Sequence, residues 1–307
     1  MSKGFGLAVA AGLASALVFL SVMTGGGVGI LLAYLMPLPL VLIGVSRGHW
    51  PALAAGATAS AVVGAMTPGG LPVFLVAALL PTATLVILGL REGQGFRPGE
   101  TGRFLAGLAA VAVAILVVAT LVATSRGSLI EDQARAYVAQ VLDQIAPQVP
   151  SEMRGSVAAL WSALFPAMLG SAWLLMTAAN GVLAQWIASR AGQALRTTPV
   201  YGSVELPWWM PAALAAALAI GFGAGGDVGY LARNAAVVLV LPQTLAGLAV
   251  VHGAMRGRPH GGILLALFYV VFFVMFGWSL VAVAGLGLVR HWTRLRRRQV
   301  ESGPEEK

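Results

Sequence analysis

The sequence predicts an all-α fold, a polytopic bundle of transmembrane helices with about eight to ten membrane segments. Three observations carry this expectation. Hydrophobic residues make up 58% of the 307 and charged residues only 10%, whereas a soluble domain carries about 25% charged residues. The apolar residues fall in runs, and crossing about 30 Å of hydrocarbon takes about 20 of them. The basic residues fall between the runs, in short loops and one tail.

The runs read at 6–23, 28–45, 51–66, 71–90, 103–124, 157–188, 208–223 and 232–252, with a last apolar stretch over 262–290. The start, "MSKGFGLAVAAGLASALVFL", has the basic residue and apolar core of a signal peptide, yet so many following spans favour an uncleaved first helix. The run at 51–66 is short and rich in small residues. The chain contains no cysteine, which excludes disulfides, thiolate metal sites and cysteine nucleophiles.

The positive-inside rule orients the spans. With the N-terminus in the cytoplasm, strict alternation places every Lys and Arg inside except Arg126, Arg135, Arg154 and Arg233. This distribution accounts for the high pI without nucleic acid, which is not an expected partner; the bilayer is. The tail "RHWTRLRRRQVESGPEEK", basic and then acidic over 291–307, should also lie inside. The stretch 262–290 must then turn back on itself, and "FGWS" at Gly277 and Trp278 is where it should break. One long tilted helix with an outside tail is the competing reading. The expected location is the bacterial inner membrane, with both termini cytoplasmic.

The domain plan has a six-span bundle over 1–190, membrane segments over 205–290, and the tail. Within the first part, 125–156 is not a span. Ser128 and Glu131 fit a capping box, Ile130, Ala134, Val138, Val141 and Ile145 recur at helical spacing, and Pro147 stops the pattern. An amphipathic helix is therefore expected at about 128–146, with Asp132, Arg135, Gln140 and Asp143 on its other face. It would lie on the periplasmic surface or cap the bundle; a solvated connector is the alternative.

Ionisable groups are absent from the predicted span centres, where they would mark chemistry. The four histidines lie at span ends, and neither a His-Glu-x-x-His helix nor a serine-protease elbow is present. No enzyme activity, metal site or cofactor is expected, and no nucleotide-binding loop is present. Asp227 and Arg233, at a span start, are expected to pair with each other.

The polar residues within spans are neutral: Trp173, Thr177, Asn180 and Gln185 in one, Asn234 and Gln243 in another. They either join helices or line a cavity. Pro37 and Pro39 interrupt the second span, and irregular backbone at membrane depth persists only against protein or water. Tyr34, one turn earlier, could supply a hydroxyl there. These positions are the cavity-lining candidates, and Pro166 and Pro242 mark similar irregularities later on. In the first helix, Ala8, Gly12 and Ala16 form a small-residue stripe that would let another helix approach closely; Gly6, Ala10 and Ala14 form a second.

"MPLPLVLIGVSRGHW", "LPQTLAGLAVVHGAMR", "NGVLAQW" and "RHWTRLRRR" resemble the YybS-like family of predicted bacterial membrane proteins, a domain of unknown function. The resemblance covers nearly the whole chain. The first six spans are also weakly similar in architecture to the S components of energy-coupling-factor transporters. That likeness implies docking of Ala8, Gly12 and Ala16 on a partner membrane protein; the extra segments after residue 205 depart from it. The expected function is binding or transport of a small molecule, with partner subunits or as a homo-oligomer; the alternative is a non-catalytic membrane scaffold or regulator.

Overall fold

A computed structural model describes residues 2–23, 29, 32–89, 100–148, 150–198 and 204–301. Among them the chain is helical, with no strand. Five helical stretches are long and apolar enough to cross a membrane: Gly4–Val22, Pro68–Ile87, Glu100–Ser125, Met153–Arg190 and Gly226–Met255. Shorter apolar helices occupy Leu38–Arg47, Trp209–Gly223 and Gly261–Val274.

The chain divides into two compact units. The first comprises residues 1–97 and 173–199. It holds α1 (Ser2–Met23), α2 (Leu38–Arg47), α3 (His49–Met66), α4 (Leu71–Phe74) and α5 (Leu80–Gly89), the last two joined by a π segment, Leu75–Leu79. Its core packs Ala8, Ala16 and Phe19 of α1 against Ala55, Ala59 and Val63 of α3, with Met36, Leu40, Phe74 and Ala78. Phe19 and Phe74 meet edge to face at 5.4 Å. The second span is broken as its prolines predict: 34–37 is a turn and α2 starts at Leu38. Most of the "TGGGVG" loop, and 90–99 of the loop before Glu100, lie outside the described residues.

The second unit comprises residues 98–172 and 200–307. It holds α6 (Glu100–Ser125), α7 (Ile130–Ile145), the first part of α8 (Ser151–Arg190), α9 (Trp209–Gly223), α10 (Gly226–Met255), α11 (Gly261–Val274) and α12 (Phe276–Glu301). Helix α10 is its axis. Thr124, late in α6, hydrogen-bonds Asp227 at the start of α10. A Cβ on Gly170 would touch both Val238 and Ala112, so α6 and α10 lie side by side and antiparallel. At the other end of α6, the backbone of Glu205 sits so close to Gly102 that a Cβ there would overlap its carbonyl. Asp227 thus pairs with Thr124, while Arg233 donates to the Gly221 carbonyl at 3.0 Å; the expected Asp227–Arg233 pair is replaced by these two contacts, each with a neighbouring helix.

The amphipathic helix is present as α7, with Ala134 and Val138 buried and Tyr137 against Phe165. The capping box is not formed. Gly127, at φ 73°, closes the end of α6, and the Ser128 amide and hydroxyl both donate to the Ala123 carbonyl. Glu131 pairs instead with Arg135 one turn on. The hydroxyl is claimed by the helix that ends before it can cap the helix that begins.

The last apolar stretch is two helices, broken at Met275, two residues before Gly277. Gly261 starts α11 beside the Met255 carbonyl. Arg294 of α12 forms an ion pair with Glu205, which rests on Gly102. The return of α12 therefore ends at the Gly102 end of the unit, where α10 also ends. A reporter fused after Arg298 should read the same side as a cysteine placed at 258, and cysteines at 135 and 227 the opposite side. A reporter on the side of residue 227 would contradict the hairpin.

Candidate functional site

A proline at position i of a helix cannot donate to the carbonyl at i−4, and in lipid no water replaces the bond. The polar residues of the spans answer this need.

In the first unit, Pro37 and Pro39 force a tight turn ahead of α2. The Ala33 carbonyl accepts from the Met36 amide at 3.3 Å, and Leu35 from Leu38 at 3.0 Å. The Tyr34 carbonyl accepts from Asn180 Nδ2 at 2.6 Å, and Met36 from the Ser15 hydroxyl at 2.7 Å. All four carbonyls of residues 33–36 are thus bonded within the protein. Tyr34 is exposed and joins through its backbone, so its carbonyl, and not the hydroxyl expected at the break in the second span, makes the contact.

The π segment repeats the pattern. Leu80 donates to Leu75, five residues back, and Pro81 has no amide to offer Val76. The Val76 carbonyl accepts from Trp173 Nε1 at 2.9 Å. Thr177 caps the Trp173 carbonyl on its own helix. Gln185 donates to the Arg196 carbonyl at 2.8 Å and holds the chain after α8.

In the second unit, Pro166 interrupts α8, and Tyr230 and Asn234 of α10 repair it. The Tyr230 hydroxyl donates to the Ser162 carbonyl at 2.5 Å, the one that Pro166 leaves without a donor. Asn234 stands between Ala163 and Ala167: Nδ2 donates to the Ala163 carbonyl at 3.1 Å and Oδ1 accepts from the Ala167 amide at 2.9 Å. Nδ2 also donates to the Tyr230 carbonyl. With three protein partners, Asn234 is a helix-joining residue and not the cavity-lining one expected.

Two buried amides among the described residues keep unpartnered atoms. Asn180 is 2% exposed and its Oδ1 accepts nothing; Gln243 is fully buried and neither Oε1 nor Nε2 has a partner. Gln243 follows Pro242 on α10, where α12 comes nearest: a Cβ on Gly287 would overlap the Gln243 carbonyl, and one on Gly247 the Val283 carbonyl. The two residues lie in different units and are two separate features.

The stripe of Ala8, Gly12 and Ala16 is buried. A Cβ on Gly12 would overlap the Ala55 carbonyl of α3. The close approach that its small residues permit is taken by the chain's own third helix, which corrects the expectation of a partner docking there. Gly6, on the second stripe, has open space around it.

These features define an α-helical, multi-pass membrane protein whose buried residues, among those described, are uncharged and cross-linked by side chain to backbone hydrogen bonds. The chain belongs to the family described as Predicted membrane protein (DUF2232), which matches residues 12–289 and has no assigned function. No curated protein and no solved structure was found to match the chain.

Sequence reasoning missed Ser15 and Tyr230. The signal was available in part: each proline in a span calls for an outside donor. Which helix supplies it depends on which helices are neighbours.

Proposed function

We propose that this chain binds a small, uncharged polar molecule within the inner membrane, and that transport of that molecule is its role. The observation behind this reading is the Asn180 amide, whose Nδ2 holds the broken second span while its buried Oδ1 has no partner. A buried acceptor without a donor costs about 1–3 kcal/mol, a cost that a bound donor group removes. Gln243 offers a second such amide in the other unit. The guest is uncharged because the groups offered are amides. The reading has no enzyme chemistry, keeps both termini cytoplasmic, and includes association with a partner membrane protein or a second copy.

A scaffold or regulator is the second reading. It is favoured by the carbonyls of residues 33–36, which are all bonded within the protein and so open toward nothing.

Gln243→Met separates the two. Methionine conserves volume and removes the unpartnered atoms. If the interior only packs, stability rises by about 1 kcal/mol and native mass spectrometry finds the same species in variant and wild type. If the amide binds a guest, a small-molecule mass retained by the wild type is lost and stability does not rise. The parallel change in the first unit, Asn180→Leu, should also lose a retained mass. No retained mass in the wild type, with Gln243→Met more stable, ends the binding reading.

A further inference from the structure

We propose that the Gly102 end of the second unit is a docking surface for anionic phospholipid headgroups, built on Arg256, Arg258 and the basic end of α12.

Charge in this unit is divided by end. Beside Thr124 and Asp227 stand Glu131, Asp132 and Asp143, with Arg126, Arg135 and Arg154. The Gly102 end carries Arg103, Arg256, Arg258, Arg290 and Arg294 against Glu100 and Glu205. Helix α12 continues through Arg296, Arg297 and Arg298 to Glu301. Arg294 pairs with Glu205, and the five arginines outnumber the two carboxylates of this end.

The excess is held in place. The Arg256 amide donates to His252, that of Arg258 to Met255, and that of Gly261 to Arg258. Gly257 at φ 78° and His260 at φ 60° make the connection tight. Arg256 and Arg258 are exposed on it, with no ion pair among the described residues. Trp292, 61% exposed, stands in the same turn of α12 as Arg294, and an exposed indole beside arginines suits the headgroup layer. The Glu205 strap, seated on Gly102, sets the basic end of α12 at the end where α10 delivers Arg256 and Arg258.

The occupant that fits is a phosphodiester at the bilayer surface. A guanidinium matches phosphate oxygens through two parallel N–H bonds, and basic residues flanking a span draw in anionic lipid. The apolar faces of α11 and α12 below these arginines are largely exposed, Ile263, Leu267, Val270, Phe273 and Val281 among them, and offer a seat for acyl chains.

The test titrates the full-length chain in neutral detergent with phosphatidylglycerol and with phosphatidylcholine, reading bound lipid by native mass spectrometry. Phosphatidylglycerol adducts should dominate. Arg256→Gln with Arg258→Gln should reduce the preference by roughly fivefold for each arginine removed. The pair Arg126→Gln with Arg135→Gln, at the opposite end, should leave it unchanged. Equal binding of the two lipids, or an equal loss from both double variants, overturns the proposal. Displacement of the lipid by inorganic phosphate at matched concentration would mean that the site takes a free anion, which also overturns it.

Discussion

Asn234→Leu lowers the stability of the second unit by about 2 kcal/mol, because it strips partners from the Ala163 carbonyl and the Ala167 amide together. The loss is conditional on the proline. In a Pro166→Ala background residue 166 regains an amide, the helix closes, and Ala167 reaches Ala163 again, so the same substitution costs little. Tyr230→Phe behaves alike: it orphans the Ser162 carbonyl beside proline and is nearly neutral beside alanine. A double-mutant cycle on thermal unfolding in nanodiscs reads this coupling, and strictly additive effects would refute the repair.

Gly12→Leu disrupts the first unit more severely. Even a Cβ at this position overlaps the Ala55 carbonyl, and backbone does not yield as a flexible side chain does, so α1 and α3 must part along the core that they share. A loss of about 3 kcal/mol or more is expected, seen as misfolded or proteolysed protein. Ala10→Leu, on the exposed face of the same helix, should leave the fold intact. If Gly12→Leu folds normally and only abolishes capture of a partner subunit, the stripe is a docking face after all.

The helical membrane fold was legible because its cause is local. A bilayer requires each backbone group to be bonded within its own segment, so a run of apolar residues states both its helix and its environment. The break before α2 was legible for the same reason, since a proline lacks its amide whatever its surroundings. The interruption near Gly277 was placed within two residues, and α7 was found from its periodicity and the stop at Pro147. Its cap was misread because Ser128 suits the start of α7 and the end of α6 equally well in sequence.

The neutral polar residues were legible as important but not as to role. Asn180 and Asn234 look alike in sequence, each an asparagine within an apolar span. In the structure one is bonded at every heavy atom of its amide and the other has an acceptor left over. The stripe of Ala8, Gly12 and Ala16 told that a helix would come close, but not which one.

The sequence by itself determined that this chain crosses a membrane as helices and that its second and last spans break, at Pro37 and Pro39 and near Gly277, because these follow from single residues and from the runs they interrupt; the π segment before Pro81 was not read from it. Only the tertiary structure decided that Asn180, Ser15 and Trp173 bond the carbonyls of the first unit, and that Tyr230 and Asn234 repair the helix at Pro166. Hydrogen bonds reach about 3 Å, and which donors come within that distance is set by helix neighbours far apart in the chain.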